Sequence, residues 1–250
     1  MGGDAAAGEG AVARGDASAG DADPRDRAAV RAVIFDAYGT LLDVHGAMAA
    51  HAARLPPDWE RISAEWRVKQ LEYTWVRSLT GPAHHRDFWR VTTDALDYVC
   101  ARHGITDAAV RTALLDAYRR LPAYAEVPAA LRALRGQGLR IAILSNGEPS
   151  MLDDAVRAAG LTDLLDAVLS VEVLGVFKPD PRVYAFAAGR FGLALREMAF
   201  VSSNAWDAQA AAHAGFRTVW CNRAGSPDEY GLSGAAETVR DLSGLPVLLA

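Results

Sequence analysis

The chain alternates between two hydrophobic periods, and the switches divide it. Val33-Ile34-Phe35 is a short run of β-favouring residues that ends in Asp36. Ala37, Tyr38, Gly39 and Thr40 follow. This reads as a buried strand closing on a carboxylate, with a tight turn after it. The next eighty or so positions are helical in pattern. Asp58 is placed to cap a helix whose early Glu60 suits the dipole. Within it Ile62, Trp66, Tyr73 and Val76 form one apolar row, and Leu71, Trp75 and Leu79 another. Gly81-Pro82 ends it. A second helix is expected over 87–103, with Phe88, Val91, Ala95, Tyr98 and Val99 inward. A third runs from an Asp107 cap to about Arg120, and a shorter one falls within 46–55. No strand interrupts these helices, so they cannot cover a parallel sheet as crossovers. They form an all-helical lobe inserted after one strand.

From Pro128 the rhythm becomes that of strands and helices in turn. Strands are predicted at 139–144, 167–170, 198–201 and 218–220, with an edge strand at Thr238-Val239. Helices are predicted at 129–137, 151–159, 180–191 and 205–214, the last capped by Ser202-Ser203-Asn204. Such alternation argues an α/β fold with a doubly wound parallel sheet. The expected division is a core of 30–44 plus 123–250 and a helical cap of 45–122.

Composition changes this picture only at the N-terminus. Residues 1–29 include ten Ala, six Gly, six acidic and three basic residues, and no long apolar run. A disordered tail or a mis-assigned start is expected there, not a signal peptide or a membrane span. The whole chain has 250 residues and a net charge of −5, and the part after the tail is close to neutral. That offers no basic footprint for nucleic acid. Cys100 and Cys221 are the two cysteines, too few for a disulfide framework and not in a metal-ligand spacing. A reducing, cytoplasmic setting is the expectation.

Four polar clusters each start just after a predicted strand or at a helix start. They are Asp36 to Thr40, Ser145-Asn146, Lys178, and Ser202 to Asp207. In an open parallel sheet such positions share the edge where ligands bind. A carboxylate there can act as a covalent nucleophile, and Asp36 is the candidate. Each cluster alone reads more simply as a turn, a cap or a solvated lysine. Their joint occurrence is the informative feature.

Asp-Ala-Tyr-Gly-Thr-Leu at 36–41, Trp-Arg at 66–67, Lys-Gln-Leu-Glu-Tyr-Thr-Trp at 69–75, Ser-Asn-Gly at 145–147, Lys178-Pro179-Asp180 with Tyr184, and Ser-Ser-Asn-Ala-Trp-Asp at 202–207 carry a resemblance. In these motifs and their order the chain resembles the L-2-haloacid dehalogenases of the haloacid dehalogenase superfamily. The resemblance runs from about Val30 to Val239 and includes the lobe. It implies hydrolytic removal of halide from short L-2-haloacids through an aspartyl ester, with inversion at C2. Asp36 would attack C2. Lys178 would neutralise Asp36 and Asp207, which otherwise repel. Arg67, with Asn146, would receive the departing halide, a planar cation suiting a diffuse anion. Ser145 and the backbone amides after Asp36, beginning at Ala37, would hold the substrate carboxylate. Thr40 and Ser202 would orient Asp36. Asp207, with Asn204, would position the hydrolytic water, and Tyr184 would steady Lys178 or Asp207. Tyr38, Leu71 and Trp206 would wall the alkyl group. A 2-haloacid and water are the expected partners, with no cofactor and no metal, and the resemblance suggests a homodimer.

Two departures from the superfamily's phosphatases have physical reasons. Those enzymes carry a second Asp two residues after the nucleophile, to protonate an alkoxide. Here Tyr38 stands there, and halide leaves without a proton. They also pair acidic residues to hold Mg²⁺, where this chain has Ser202-Ser203-Asn204 and only Asp207. The rival readings are a phosphate-ester hydrolase of the same superfamily and a non-catalytic anion-binding relative. Among the histidines, His84-His85 reads as a solvated pair, His45 as a structural residue near the lobe hinge, and His213 as a partner of its helix dipole.

Overall fold

The computed structural model describes residues 29–250. The tail expected at 1–29 therefore lies, but for its last residue, outside the described residues. Six strands form one parallel sheet in the order β3-β2-β1-β4-β5-β6. They are β1 (Ala32–Phe35), β2 (Arg140–Ser145), β3 (Ala167–Ser170), β4 (Met198–Ser202), β5 (Arg217–Cys221) and β6 (Glu237–Val239). The order reverses between β1 and β4, so β1 is central, with β2 and β4 on its two sides. All four of its side chains are fully buried. Burial of Ile34 and Phe35 alone contributes about 1.5–3 kcal/mol each.

Register fixes where the strands end. Phe35 pairs with Ile143 on one side and Val201 on the other. Asp36, Ser145 and Ser202 consequently emerge side by side at the C-terminal edge. The helices around the sheet are α5 (Val127–Gly136), α6 (Pro149–Ala158), α7 (Pro181–Phe191), α8 (Ala205–Ala214), α9 (Leu232–Ala235) and α10 (Leu245–Leu248). Each predicted element of this half is present, with ends shifted by a residue or two.

Between β1 and α5 lie α1 (Gly46–Ala49), α2 (Trp59–Leu79), α3 (Phe88–Arg102) and α4 (Ala108–Tyr118). Asp87 and Asp107 cap α3 and α4, accepting from the amides of Arg90 (2.6 Å) and Ala109 (2.8 Å). Asp58 precedes α2 but makes no side-chain cap; its carboxylate is held by Arg61 at 3.0 Å. The two connections to the sheet run side by side. Leu42 bridges to Ala123, and the Asp43 amide donates to the Pro122 carbonyl at 2.9 Å.

Helix α2 departs most from its pattern. Ile62 and Trp66 are buried as expected, but Val76 is 51% and Leu79 87% exposed. The rest of the buried face is polar: Ser63, Gln70 and Thr74. Tertiary contacts, not apolar periodicity, set the orientation of this helix.

Candidate active site

Asp36 is the first residue beyond β1, and its amide is still held by the Val201 carbonyl at 3.0 Å. The turn then closes on itself. Gly39 takes φ +93°, a conformation that L side chains rarely adopt, and the Thr40 and Leu41 amides fold back onto the Ala37 carbonyl. Thr40 Oγ1 donates to Asp36 Oδ2 at 3.1 Å and accepts the Ser203 amide at 2.8 Å. Asn204 Nδ2 donates to the same Oδ2 at 2.8 Å. Lys178 Nζ donates to Oδ1 at 3.1 Å. Three donors thus fix the carboxylate. Among the described residues the Ala37 and Tyr38 amides donate to no backbone carbonyl outside the helices and strands.

Lys178 is 1% exposed and spans two carboxylates, reaching Asp207 Oδ2 at 2.9 Å. Its own amide donates to Asn146 Oδ1 at 2.9 Å, and the peptide to Pro179 is cis. Burial by itself lowers the pKa of an ammonium. The Asp207 and Asp36 charges and hydrogen bonds outweigh it and raise the Lys178 pKa above the ordinary 10.5. Asp207 sits in the first turn of α8, fully buried, and accepts Tyr184 Oη at 2.7 Å. Burial raises its pKa above the ordinary 3.8, and Lys178 only partly offsets that. Burial and the neighbouring Asp207 carboxylate together push Tyr184 well above 10.0, so the phenol stays a donor.

Ser145 ends β2, and its Oγ accepts the Gly147 amide at 3.1 Å, which leaves the hydroxyl proton free to point elsewhere. A Cβ on Gly147 would stand 2.9 Å from Tyr38 Cε2. Leu152 Cδ2 would lie nearer still, at 2.8 Å, so a side chain at 147 would have to displace both neighbours. Arg67 enters from α2. Its guanidinium donates to the Tyr38 carbonyl at 3.2 Å and to Gln70 Oε1 at 2.6 Å.

These groups surround one small cavity of about 10 Å³, lined by Asp36, Tyr38, Arg67, Leu71, Phe88, Ser145, Asn146, Lys178 and Trp206. Larger surface clefts of about 510 and 610 Å³ lie elsewhere and contain neither Asp36 nor Lys178. Trp75 of α2 meets Trp206 edge to face at 5.6 Å, so the helical lobe packs directly on one wall residue of the cavity. Three expectations need correction. Ser202 does not reach Asp36; its Oγ accepts the Asn204 amide at 3.1 Å and so bears on Asp36 only through Asn204. Asn204 occupies the N-cap position of α8 but makes no side-chain cap, because its amide is committed to Asp36. His85 is not solvated: it pairs with Glu172 at 2.9 Å and lies against Phe177, with ring centroids 5.0 Å apart. Tyr184 holds Asp207, and no hydrogen bond joins it to Lys178.

Sequence reasoning missed Phe88 as a cavity wall, having placed it in the lobe core. It also missed Gln70 behind Arg67, and Arg223. Arg223 donates to the Thr40 carbonyl at 2.8 Å, pairs with Glu126 and stacks over Tyr124 at 3.9 Å. Gln70, three residues after Arg67, had the helical spacing as a signal; Phe88 and Arg223 are joined to the site only by distance in space.

The family model for haloacid dehalogenase-like hydrolases matches residues 30–215. The chain belongs to that family. It is 45% identical over 221 residues to (S)-2-haloacid dehalogenase 1 of Pseudomonas sp. (strain CBS-3), covering 88% of this chain and 96% of that one. A crystal structure of a dehalogenase with an intermediate complex is 42% identical, with TM-score 0.86 over 89% of this chain and 98% of its own. The L-2-haloacid dehalogenase from Xanthobacter autotrophicus, solved with chloropropionic acid covalently bound, is 36% identical, with TM-score 0.78 over 88% of this chain and 98% of its own. The six-stranded parallel sheet and the helices beside it are those of a haloacid dehalogenase fold.

Proposed function

We propose that this hydrolase removes halide from short L-2-haloacids and yields D-2-hydroxy acids. The observation that carries the reading is the cavity where a three-donor carboxylate, a buried lysine that also pairs with Asp207, and an arginine from the helical lobe converge. An Asp36 oxygen attacks C2; the C–O bond forms as the carbon–halogen bond breaks, and the halide departs with the electron pair. In-line attack inverts C2. Arg67 and Asn146 receive the halide. Ser145 and the Ala37 and Tyr38 amides hold the substrate carboxylate, while Tyr38, Leu71, Phe88 and Trp206 enclose the alkyl group.

Water then adds to the ester carbonyl carbon, the Asp36–substrate bond breaks, and a solvent oxygen stays on Asp36. Asp207 takes one proton from the water and returns it to the alkoxide oxygen that leaves Asp36, which gives the hydroxyl of the 2-hydroxy acid. The raised pKa of Asp207 suits a general base. Thr40 and Asn204 keep Asp36 oriented throughout, Ser202 supports Asn204, and Tyr184 steadies Asp207.

The donor set does not fit a Mg²⁺-dependent phosphatase. The space between the two carboxylates is spanned by the Lys178 ammonium, and Mg²⁺ requires oxygen ligands all round. The proposed reaction assigns no step to a metal. A cavity of about 10 Å³ holds one water and no 2-haloacid. Entry therefore separates the lobe from the sheet, with 45–122 as the cap, 30–44 and 123–250 as the core domain, and the paired connections at Leu42 and Ala123 as hinge. The exposed Val68, Val76 and Leu79 on α2 support a homodimer through the cap. Buried Cys100 and Cys221, both free, suit a reducing cytoplasm.

The test is halide release from L- and D-2-chloropropionate in EDTA, followed by repeated turnover in H₂¹⁸O and mass analysis of the Asp36 peptide. Release from the L-enantiomer and label in that peptide are expected. An unlabelled peptide after many turnovers rules out the ester.

A further inference from the structure

The polar buried face of α2 calls for an explanation. A helix of this length ordinarily turns its apolar residues inward. Here Gln70 is 1% exposed while Leu79 is 87% exposed. Local rules are broken most often where function demands it.

Gln70 uses both ends of its amide. Oε1 accepts from Arg67 at 2.6 Å and from Tyr118 Oη at 3.1 Å. Nε2 donates to Thr92 Oγ1 at 2.6 Å, and that hydroxyl donates to the Phe88 carbonyl at 2.7 Å. Trp66 Nε1 donates to the Thr92 carbonyl at 3.0 Å. Side chains of α2, α3 and α4 thus meet on one amide, and the free end of that network is the Arg67 guanidinium. Gln70 lies three residues after Arg67, on the same side of the helix. An apolar residue of similar volume would fill this site as well. It would take away the shorter of the two hydrogen bonds that hold the arginine and leave the Tyr38 carbonyl to orient it.

We infer that Gln70, held by Thr92 and Tyr118, is a positioning residue that aims Arg67 at the leaving halide. The inference rests on the dehalogenase reading above. The neutrality of glutamine is part of the device. A carboxylate here would also accept from Arg67, but it would cancel the positive charge that the departing anion needs. The carbonyl orients the guanidinium and leaves its charge intact.

The test separates the two chemical steps. Halide release and ester hydrolysis are measured in single turnovers by rapid quench, with L-2-chloro- and L-2-bromopropionate, for wild type, Gln70→Met, Gln70→Glu and Tyr118→Phe. Gln70→Met is expected to slow chloride release about a hundredfold, the effect of misplacing a reacting group by about an ångström. Bromide release falls less, because the better leaving group depends less on Arg67. Ester hydrolysis stays within about twofold, since Arg67 has no part in it. Gln70→Glu slows the same step. Tyr118→Phe keeps the ring stacked on Tyr38 and shows the same pattern at about fivefold, as befits one lost hydrogen bond. Should Gln70→Met not fold, Tyr118→Phe carries the test alone. Equal losses for both halides and both steps would mean that Gln70 serves only the cap's structure, and would overturn the inference. Unaltered halide release in both Gln70→Met and Tyr118→Phe would do the same. Absence of halide release from the wild type would instead remove the dehalogenase reading, and this inference with it.

Discussion

Strand β1 and helix α2 each deliver one charged group to the same cavity, and they do so in opposite ways. Asp36 has a short side chain at the end of a fully buried apolar strand. Parallel ladders on both sides fix its backbone, and two bond rotations complete the placement. Arg67 has a long side chain on a helix whose buried face is polar. Its backbone leaves the guanidinium several ångströms of freedom, and side-chain hydrogen bonds to Gln70 and the Tyr38 carbonyl remove it. The proposed nucleophile is positioned by the sheet; the cation proposed to bind halide is positioned by a network. Networks are the more fragile device, since each member is held by the others.

That contrast can be broken or sharpened experimentally. The largest effect belongs to the charge that links the core's two carboxylates. Lys178→Met leaves Asp36 and Asp207 buried without a counter-ion, so it should abolish turnover and lower stability by about 3–5 kcal/mol in urea unfolding. The sign with pH follows from the Lys178 pKa lying above 10.5 in the folded protein. Its stabilising contribution is complete below the unfolded value and is lost as pH rises through the folded one. The stability gap between wild type and variant should therefore stay open to about pH 10 and close above it. A gap that already closes near pH 8 would show Lys178 neutral at that pH.

A smaller effect is expected for Thr40→Val. It removes one of three donors to Asp36, and the acceptor of the Ser203 amide, but leaves the β1 ladder whole. Halide release should fall about tenfold or less, the worth of the one hydrogen bond to Asp36. If it falls more than in Gln70→Met, the sheet is not what positions the nucleophile, and the contrast drawn above fails. The smallest effect is expected on the outer face of α2. Leu79→Ser should change monomer stability by no more than about 0.5 kcal/mol, since the side chain is already in solvent. For the homodimer proposed above, it should shift sedimentation equilibrium toward monomer; an unchanged mass distribution would remove Leu79 from any subunit contact.

Much of this site is legible along the chain because each motif lies next to a strand end. Asp36, Ser145-Asn146 and Asn204 to Asp207 follow apolar runs that can only be buried strands, and a parallel sheet brings such ends together. Lys178 and Tyr184 were placed by motif and order, and the structure seats both at Asp207. Where several acceptors compete, local reading fails. The Ser202 Oγ accepts the Asn204 amide and not a bond with Asp36, and the Asn204 side chain turns to Asp36 and leaves its cap unmade. His85 resembles any surface histidine until Glu172 and Phe177 arrive from elsewhere in the chain.

By itself, then, the sequence determined the alternation of strands and helices, the helical insertion after β1, and the carboxylates, lysine and arginine available for chemistry. Backbone propensity and hydrophobic period are local, and they act within a few residues. Tertiary structure decided which face α2 buries, which partner each polar side chain takes, and that Gln70, Phe88 and Arg223 belong to the site. Those choices depend on distances between residues far apart in the chain. Buried polar groups settle them by satisfying one another, and no hydrophobic pattern encodes that accounting.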